Sequence, residues 1–154
     1  MLKHIAAVLA LLSPNMVHAE SSVALQSDVF VERKNVKPDG SIAVTLEAPK
    51  MVVPGDNLVF VVKYQNVGSA PASNFSLTNP LPGAVAFNGT ADGTETVSVD
   101  GGRTWGKLSA LKIALAEGRS RPALMADVTH IKWQLARTLS VGASGKFMFR
   151  GTVR

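Results

Sequence analysis

Apolar and polar residues alternate in short segments of this chain, and clusters of Gly, Pro, Asn and Asp separate the segments. A period of two is typical of half-buried β-strands, because successive side chains of a strand point to opposite faces of the sheet. The clearest segment is 42–47, in which Ile42, Val44 and Leu46 are expected to face the core. A slip of one residue would expose this apolar set, so the pattern favours one register.

The same alternation predicts further strands. Residues 58–65 follow the turn residues 54–57 and are apolar on both faces, which predicts a central strand. Residues 128–135 are expected to direct Ile131 and Trp133 to one face. Each of these segments is bounded by turn-forming residues, as strands in an all-β domain usually are.

Three further segments complete the assignment, and one of them is ambiguous. The last predicted strand, 146–153, directs its two phenylalanines inward and its charged residues outward, and such an outer row suits a sheet edge. Residues 107–117 have leucines at helical spacing and apolar alternation as well, and we favour a strand. Residues 21–27 have a linker-like composition.

Seven or eight short strands in a chain of 154 residues predict one all-β domain. We favour an antiparallel, immunoglobulin-like sandwich of two sheets, and the alternative is an eight-stranded barrel. The domain is expected to comprise residues 20–154.

The first residues have the pattern of an export signal. Lys3 supplies a positive charge, residues 5–12 form an apolar run, and Pro14 ends it. We predict a signal peptide at 1–19, cleaved after Ala19, and a periplasmic or secreted protein. Eight apolar residues are far fewer than the roughly 20 that span a bilayer, so stable membrane insertion is not expected.

Charge and cysteine content narrow the functional classes. The formal net charge is +5, but the basic residues are scattered along the chain, whereas nucleic-acid binders concentrate them on one face. We therefore expect no nucleic-acid partner. The chain has no cysteine, so disulfides cannot stabilise it and packing must.

Part of the sequence resembles a known family of surface repeats. The segments 53–60, 64–74 and 79–82 are similar to the family called domain of unknown function eleven. Asn79 departs from the pattern, since that position is usually Asp. The resemblance implies an immunoglobulin-like sandwich in an envelope or extracellular protein, without recognised catalytic residues. The turn positions that it assigns a structural role are Pro54, Gly55, Asp56, Asn66, Gly68, Pro80 and Pro82.

A second resemblance is local and covers residues 98–105. These fit the pattern Ser-x-Asp-x-Gly-x-Thr-Trp, which resembles the Asp-box of sialidase-like propellers. In those proteins the motif is a folding hairpin away from the active site. A single box cannot build a propeller, which needs several blades. We therefore predict a structural hairpin formed by Ser98, Asp100, Gly102, Thr104 and Trp105.

Few residues suggest catalysis or metal binding. His130 is the single histidine beyond the predicted leader, and it lies on the polar face of its strand. We therefore expect no enzyme, no cofactor and no metal. Calcium is the one metal left open, because hard oxygen ligands could come from Asp92, Glu95, Asp100 or Asp127.

Three functional hypotheses follow. The first is a non-catalytic module, structural or protein-binding, that recognises an envelope or surface protein through a strand edge or loop cluster. The second is a carbohydrate-binding module that uses Tyr64, Trp105 or Trp133 to stack on sugars. The third is a small hydrolase with a carboxylate site. The sequence leaves the oligomeric state open.

Overall fold

The structure, a computed structural model, describes residues 22–154, and the predicted signal peptide lies outside the described residues. No helix in this part of the chain is long and apolar enough to cross a membrane. The ten strands of residues 22–154 are β1 (Val23–Val36), β2 (Ile42–Glu47), β3 (Asn57–Asn66), β4 (Ser76–Pro80), β5 (Val85–Thr90), β6 (Thr96–Ser98), β7 (Lys112–Ala114), β8 (Ser120–Pro122), β9 (His130–Gln134) and β10 (Ser144–Val153).

The strands form three antiparallel sheets. A five-stranded sheet has the order β2-β1-β3-β10-β5, a three-stranded sheet has the order β4-β9-β6, and β7 pairs with β8. The predicted all-β class with antiparallel pairing is confirmed. The strand count was wrong, because ten strands rather than seven or eight lie in the described residues.

One apolar core joins the two larger sheets. Trp133 of β9 is 1% exposed, and its ring stacks on Phe147 of β10 with centroids 5.0 Å apart. Phe149 stacks on Phe60 of β3 at 4.4 Å, and Ile131 is fully buried. The predicted inward faces of β9 and β10 are therefore confirmed.

The central position of β3 is also confirmed. It pairs with β1 on one side and with β10 on the other. Leu58 and Val59 point to opposite faces of the sheet, and both are buried. A strand with neighbours on both sides and covered faces is expected to be apolar on both faces.

The linker-like assignment of residues 21–27 was wrong, because most of them belong to β1. This strand pairs with β3 from Val23 to Glu32. A polar residue of this strand is paired across the sheet: Asp28 forms an ion pair with Lys63 on β3, with a distance of 2.8 Å between Nζ and Oδ2. The backbone ladder needs no apolar side chain, so composition alone did not indicate this strand.

The expectation that Ile42, Val44 and Leu46 face the core was wrong. Their exposed fractions are 64%, 55% and 48%. β2 pairs with residues 31–36 of β1, whereas the ladder between β1 and β3 ends at Glu32. The β1–β2 hairpin therefore extends past β3, and Ile42, Val44 and Leu46 lie on a face of β2 that no strand of residues 22–154 covers.

The expectation that residues 146–153 form a sheet edge was also wrong. β10 lies between β3 and β5. The outward-facing Arg150 forms an ion pair within the sheet instead. Its Nε lies 3.3 Å from Glu32 Oε2 on β1, so the ion pair spans β3, which lies between the two strands. Val59, which lies on the same outer face of β3, is only 1% exposed.

Residues 107–117 are neither one strand nor one helix. A 3₁₀ turn at Leu108–Ala110 precedes β7, and another at Ala116–Gly118 follows it. The favoured strand is therefore limited to three residues, which pair with β8 in a short ribbon. The mixture of helical and alternating spacing in the sequence corresponds to this mixture of turns and strand.

Candidate functional site

The Asp-box-like segment forms a closed polar hairpin after β6. The Asp100 carboxylate accepts hydrogen bonds from the Ser98 hydroxyl at 2.8 Å, the Arg103 amide at 3.0 Å and the Thr104 amide at 2.9 Å. The Thr104 hydroxyl donates a fourth at 2.7 Å. These donors lower the pKa of Asp100 far below its ordinary value, with the Thr104 amide as the main cause. The hydrogen bonds that the Asp100 carboxylate accepts therefore come from residues of its own turn.

Ser98 and Trp105 complete the hairpin. The Ser98 side chain is buried, and its oxygen accepts a hydrogen bond from the Gly102 amide at 2.9 Å. The Trp105 indole N–H donates to the Gly102 carbonyl at 2.9 Å. Gly102 has φ +87°, a left-handed conformation that glycine adopts without steric cost. The structure therefore brings together all five residues predicted for this hairpin.

His130 lies beside this hairpin. Its Nδ1 is 3.1 Å from the Thr129 hydroxyl oxygen, and that hydroxyl donates to the Ser98 carbonyl. The Trp105 ring meets the His130 ring edge-on, with centroids 6.3 Å apart, and Lys132 Nζ lies 3.8 Å from the Trp105 centroid. A catalytic imidazole needs a third group that orients it. The group beside the His130 imidazole is the Thr129 hydroxyl, which already donates its hydrogen bond to the Ser98 carbonyl.

The other candidate calcium ligands make separate contacts. Asp127 forms a two-pronged ion pair with Arg121, with N–O distances of 2.6 and 2.7 Å, which lowers the pKa of Asp127 to about 2. Glu95 accepts a hydrogen bond from the Thr90 hydroxyl at 2.6 Å, and Asp92 accepts one from a backbone amide. Among residues 22–154, no group of three or more His, Asp or Glu side chains is placed to hold a metal ion.

The first turn predicted from the surface-repeat resemblance lies between β2 and β3. Asp56 accepts a hydrogen bond from the Val53 amide at 3.0 Å, and its other oxygen lies 2.7 Å from the Arg33 guanidinium. Both contacts lower the pKa of Asp56, the backbone contact most. Pro54 and Gly55 form the turn itself, with Gly55 at φ +93°.

The second predicted turn is organised by Asn66, which is fully buried. Its side-chain amide donates to the carbonyls of Ala70 and Leu139, both at 2.9 Å, and its oxygen accepts from the Gly68 amide at 3.0 Å. These bonds tie the loop after β3 to a segment 73 residues further along the chain. Buried polar side chains are normally satisfied in this way.

The third predicted corner contains Pro80 and Pro82. Pro80 is the last residue of β4 and lies opposite His130. The Pro82 carbonyl accepts a hydrogen bond from the Val85 amide at 2.9 Å, which turns the chain into β5. Proline at the end of a strand leaves the rest of the ladder intact.

The aromatic residues considered for sugar stacking divide between core and surface. Tyr64 and Trp133 are buried, whereas Trp105 is half-buried. The Tyr64 ring covers Gly145 on β10, where a β-carbon would overlap its hydroxyl. Trp105 is thus the one residue of the three that is not buried, and Lys132 lies over one face of its ring.

A groove of about 650 Å³ lies on β1, β3 and β10. Lys63 and Lys146 line it and stand directly opposite each other in the β3–β10 register. Lys63 also forms the ion pair with Asp28, which leaves the groove mildly basic.

Sequence reasoning missed the open edge formed by β2, the end strand of the five-stranded sheet. In the hairpin, the Lys37 amide donates to the Ser41 carbonyl at 2.8 Å, so odd-numbered residues of β1 and β2 exchange hydrogen bonds. The N–H and C=O groups of the even-numbered residues Ile42, Val44 and Leu46 consequently point away from β1, toward the free edge.

Exposed apolar side chains are concentrated in the part of the chain that contains β2. Thirteen large apolar residues of the described part are exposed, and seven of them lie between positions 36 and 53. Scattered exposed apolar residues are ordinary, but several on one face of a strand, such as Ile42, Val44 and Leu46, are typical of an interaction surface. The seven are Val36, Ile42, Val44, Leu46, Met51, Val52 and Val53.

The fold and these contacts define an all-β protein with antiparallel sheets, a polar hairpin at residues 98–105 and a free sheet edge along β2 in the described residues. Comparison of the chain with known protein families, with curated proteins and with solved structures found no match.

Proposed function

We propose that the chain is a non-catalytic module of the bacterial envelope or extracellular space, with a structural or protein-binding role. In this proposal residues 1–19 direct export and are cleaved after Ala19. Residues 20–154 then form one immunoglobulin-like sandwich of the surface-repeat type called domain of unknown function eleven. The turns at Asp56 and Asn66 support that assignment, because each uses its motif residue to close a loop.

The observation that carries the proposal is the open edge of β2. Native sheets usually protect their edges with charges, prolines, bulges or covering loops, because free backbone groups recruit other chains. The outer row of β2 is Ile42, Val44 and Leu46, which includes neither a charge nor a proline, and no strand of residues 22–154 pairs with this edge. An extended segment can add to such an edge, gaining affinity from backbone hydrogen bonds and specificity from side-chain contacts.

The polar residues support a non-catalytic role. Asp100 uses its carboxylate to close a hairpin, and Asp127 is held by Arg121. Both carboxyls have lowered pKa values, whereas a carboxyl acid that works near neutral pH needs a raised one. The surroundings of Asp100 and Asp127 therefore suit a structural role.

The test is capture of envelope proteins on three immobilised baits: the wild type, Val44→Pro and Val44→Ala. Val44→Pro removes the free-edge N–H without breaking a bond to β1, and Val44→Ala keeps that N–H. We expect a protein that binds the wild type and Val44→Ala but not Val44→Pro, and that binds again when purified. A set of captured proteins that does not differ between the baits contradicts the proposal.

The second candidate, a carbohydrate-binding module, is favoured by one observation, the partly exposed Trp105 side chain in the 98–105 hairpin. A glycan array probed with the wild type and with Trp105→Ala tests it. Binding to a defined glycan that is lost in Trp105→Ala would support this candidate. The groove at Lys63 and Lys146 contributes no stacking surface, because the Tyr64 ring packs against Phe75 and Phe147 in the core.

A further inference from the structure

We infer that the open edge binds a second copy of this chain, with the two β2 strands antiparallel and Val44 opposite Val44. The inference rests on the proposed function, since it names the occupant of the same edge. The symmetry is two-fold, so one surface serves both copies, as in most homodimers.

The backbone geometry selects this register. In each copy the free N–H and C=O groups belong to Ile42, Val44 and Leu46, because the odd-numbered residues bond to β1. An antiparallel ladder forms only where free residues stand opposite free residues. A centre at Val44 pairs all three with free residues of the second copy, whereas a shift by two residues along the strand leaves one of them unpaired.

The side chains favour the same register. The three residues with free backbone groups are also those whose side chains lie on the exposed outer face of β2. With Val44 at the centre, Ile42 of one copy lies beside Leu46 of the other, twice over. Apolar cross-strand pairs on one face stabilise a sheet, and here six exposed side chains acquire apolar neighbours.

The charges at the two ends of β2 are complementary. Glu47 lies at the base of the hairpin and Lys37 at its tip, and neither forms an ion pair within residues 22–154. In the proposed register, Glu47 stands opposite Ser41 of the second copy, and Ser41 is paired with Lys37 in its own hairpin. Each Glu47 therefore lies on the same face as a Lys37 of the other copy.

The size of the contact predicts its strength. Six residues of β2 from each copy cover less than the roughly 1,200 Å² of total buried surface typical of stable interfaces. The dimer is therefore reversible and forms as concentration rises. An extended segment of another protein could occupy the same edge, and the experiment separates the two occupants.

The chain has no cysteine, so single cysteines report the register directly. Val44→Cys places two thiols opposite each other across the two-fold axis. Thr45→Cys, at a neighbour that is also exposed, places its two α-carbons more than about 7 Å apart, beyond disulfide reach. We expect the covalent dimer of Val44→Cys to form at least about tenfold faster under mild oxidation than that of Thr45→Cys. Equal rates would overturn the inference.

Sedimentation velocity provides a readout without cysteines. We expect the wild type and Val44→Ala to shift from monomer toward dimer as concentration rises, and Val44→Pro to stay monomeric. A wild type that is monomeric at every concentration overturns the dimer. The proposed function has a separate outcome: if a purified envelope protein still binds the wild type and not Val44→Pro, the edge binds another protein.

Discussion

The Thr104 hydroxyl donates a hydrogen bond to the Asp100 carboxylate across 2.7 Å, and the Thr104 amide donates another to the same group. The Asp-box-like residues therefore satisfy one another's hydrogen bonds inside a hairpin. Free backbone N–H and C=O groups lie instead along the outer edge of β2. The structure thus separates a residue cluster that organises the fold from an edge that is available for binding.

The Asp100 hairpin is expected to depend on its carboxylate. Asp100→Asn removes the charge that strengthens four hydrogen bonds and should lower the melting temperature. Asp92→Asn is the control, since Asp92 accepts one backbone bond in an exposed loop. Thermal unfolding followed by circular dichroism checks this. A melting temperature equal to that of the control would mean that the hairpin does not depend on the charge.

Stability should fall in acid. Asp127 has a pKa lowered to about 2 by Arg121 and by a backbone amide, and Asp100 and Asp56 have lowered values as well. A carboxyl whose pKa is lower when folded stabilises the fold above its unfolded value of about 4, and this contribution is lost as the pH falls through the folded value. For Asp127 the window is therefore about pH 4 to 2.

Denaturant unfolding at a series of pH values measures this dependence. Asp127→Asn should be less stable than the wild type at neutral pH and should approach it toward pH 2. A difference between the two proteins that does not change over this range would contradict the assigned ion pair.

Two isoleucines test the corrected position of β2. Ile131 is fully buried, so Ile131→Ala should cost about 2–5 kcal/mol of unfolding free energy. Ile42 is 64% exposed, so Ile42→Ala should change it by less than about 0.5 kcal/mol. Denaturant titration of the monomer gives both values. A large loss at Ile42 would show that β2 is packed against the body of the protein.

Gly145 is expected to be required by Tyr64. A β-carbon at Gly145 would overlap the tyrosine ring, so Gly145→Ala should cost roughly 1–3 kcal/mol. Gly83 has open space around it, and Gly83→Ala should be neutral or stabilising by up to about 1 kcal/mol. If both variants unfold at the same denaturant concentration, the Tyr64 ring does not prevent a β-carbon at position 145.

The two tryptophans should differ in fluorescence. Trp133 is 1% exposed, whereas Trp105 is half-buried. Acrylamide quenching of Trp105→Phe, which leaves Trp133, should be weaker than quenching of Trp133→Phe, provided circular dichroism shows that both variants are folded. Equal quenching would mean that the core around Trp133 is open to solvent.

Local patterns in the sequence were sufficient for several elements. Alternation located β3, β9 and β10 and assigned Ile131, Phe147 and Phe149 to the core. The Asp100 hairpin was also predictable, because the hydrogen bonds among its five predicted residues join positions at most four apart, and such contacts depend on local spacing. The motifs at Gly55 and Asn66 likewise indicated where the chain turns.

The sequence by itself determined which side chains share a face and which residues can close a turn, since both follow from backbone periodicity and short-range hydrogen bonds. Only the tertiary structure decided which faces are covered. β2 and β9 alternate equally well, yet one lies on an uncovered hairpin and the other in the core, because burial depends on strands distant in the sequence. For the same reason the sequence did not predict the first part of β1, because its polar residues are ordered by backbone pairing with β3 and not by an alternating pattern of their own.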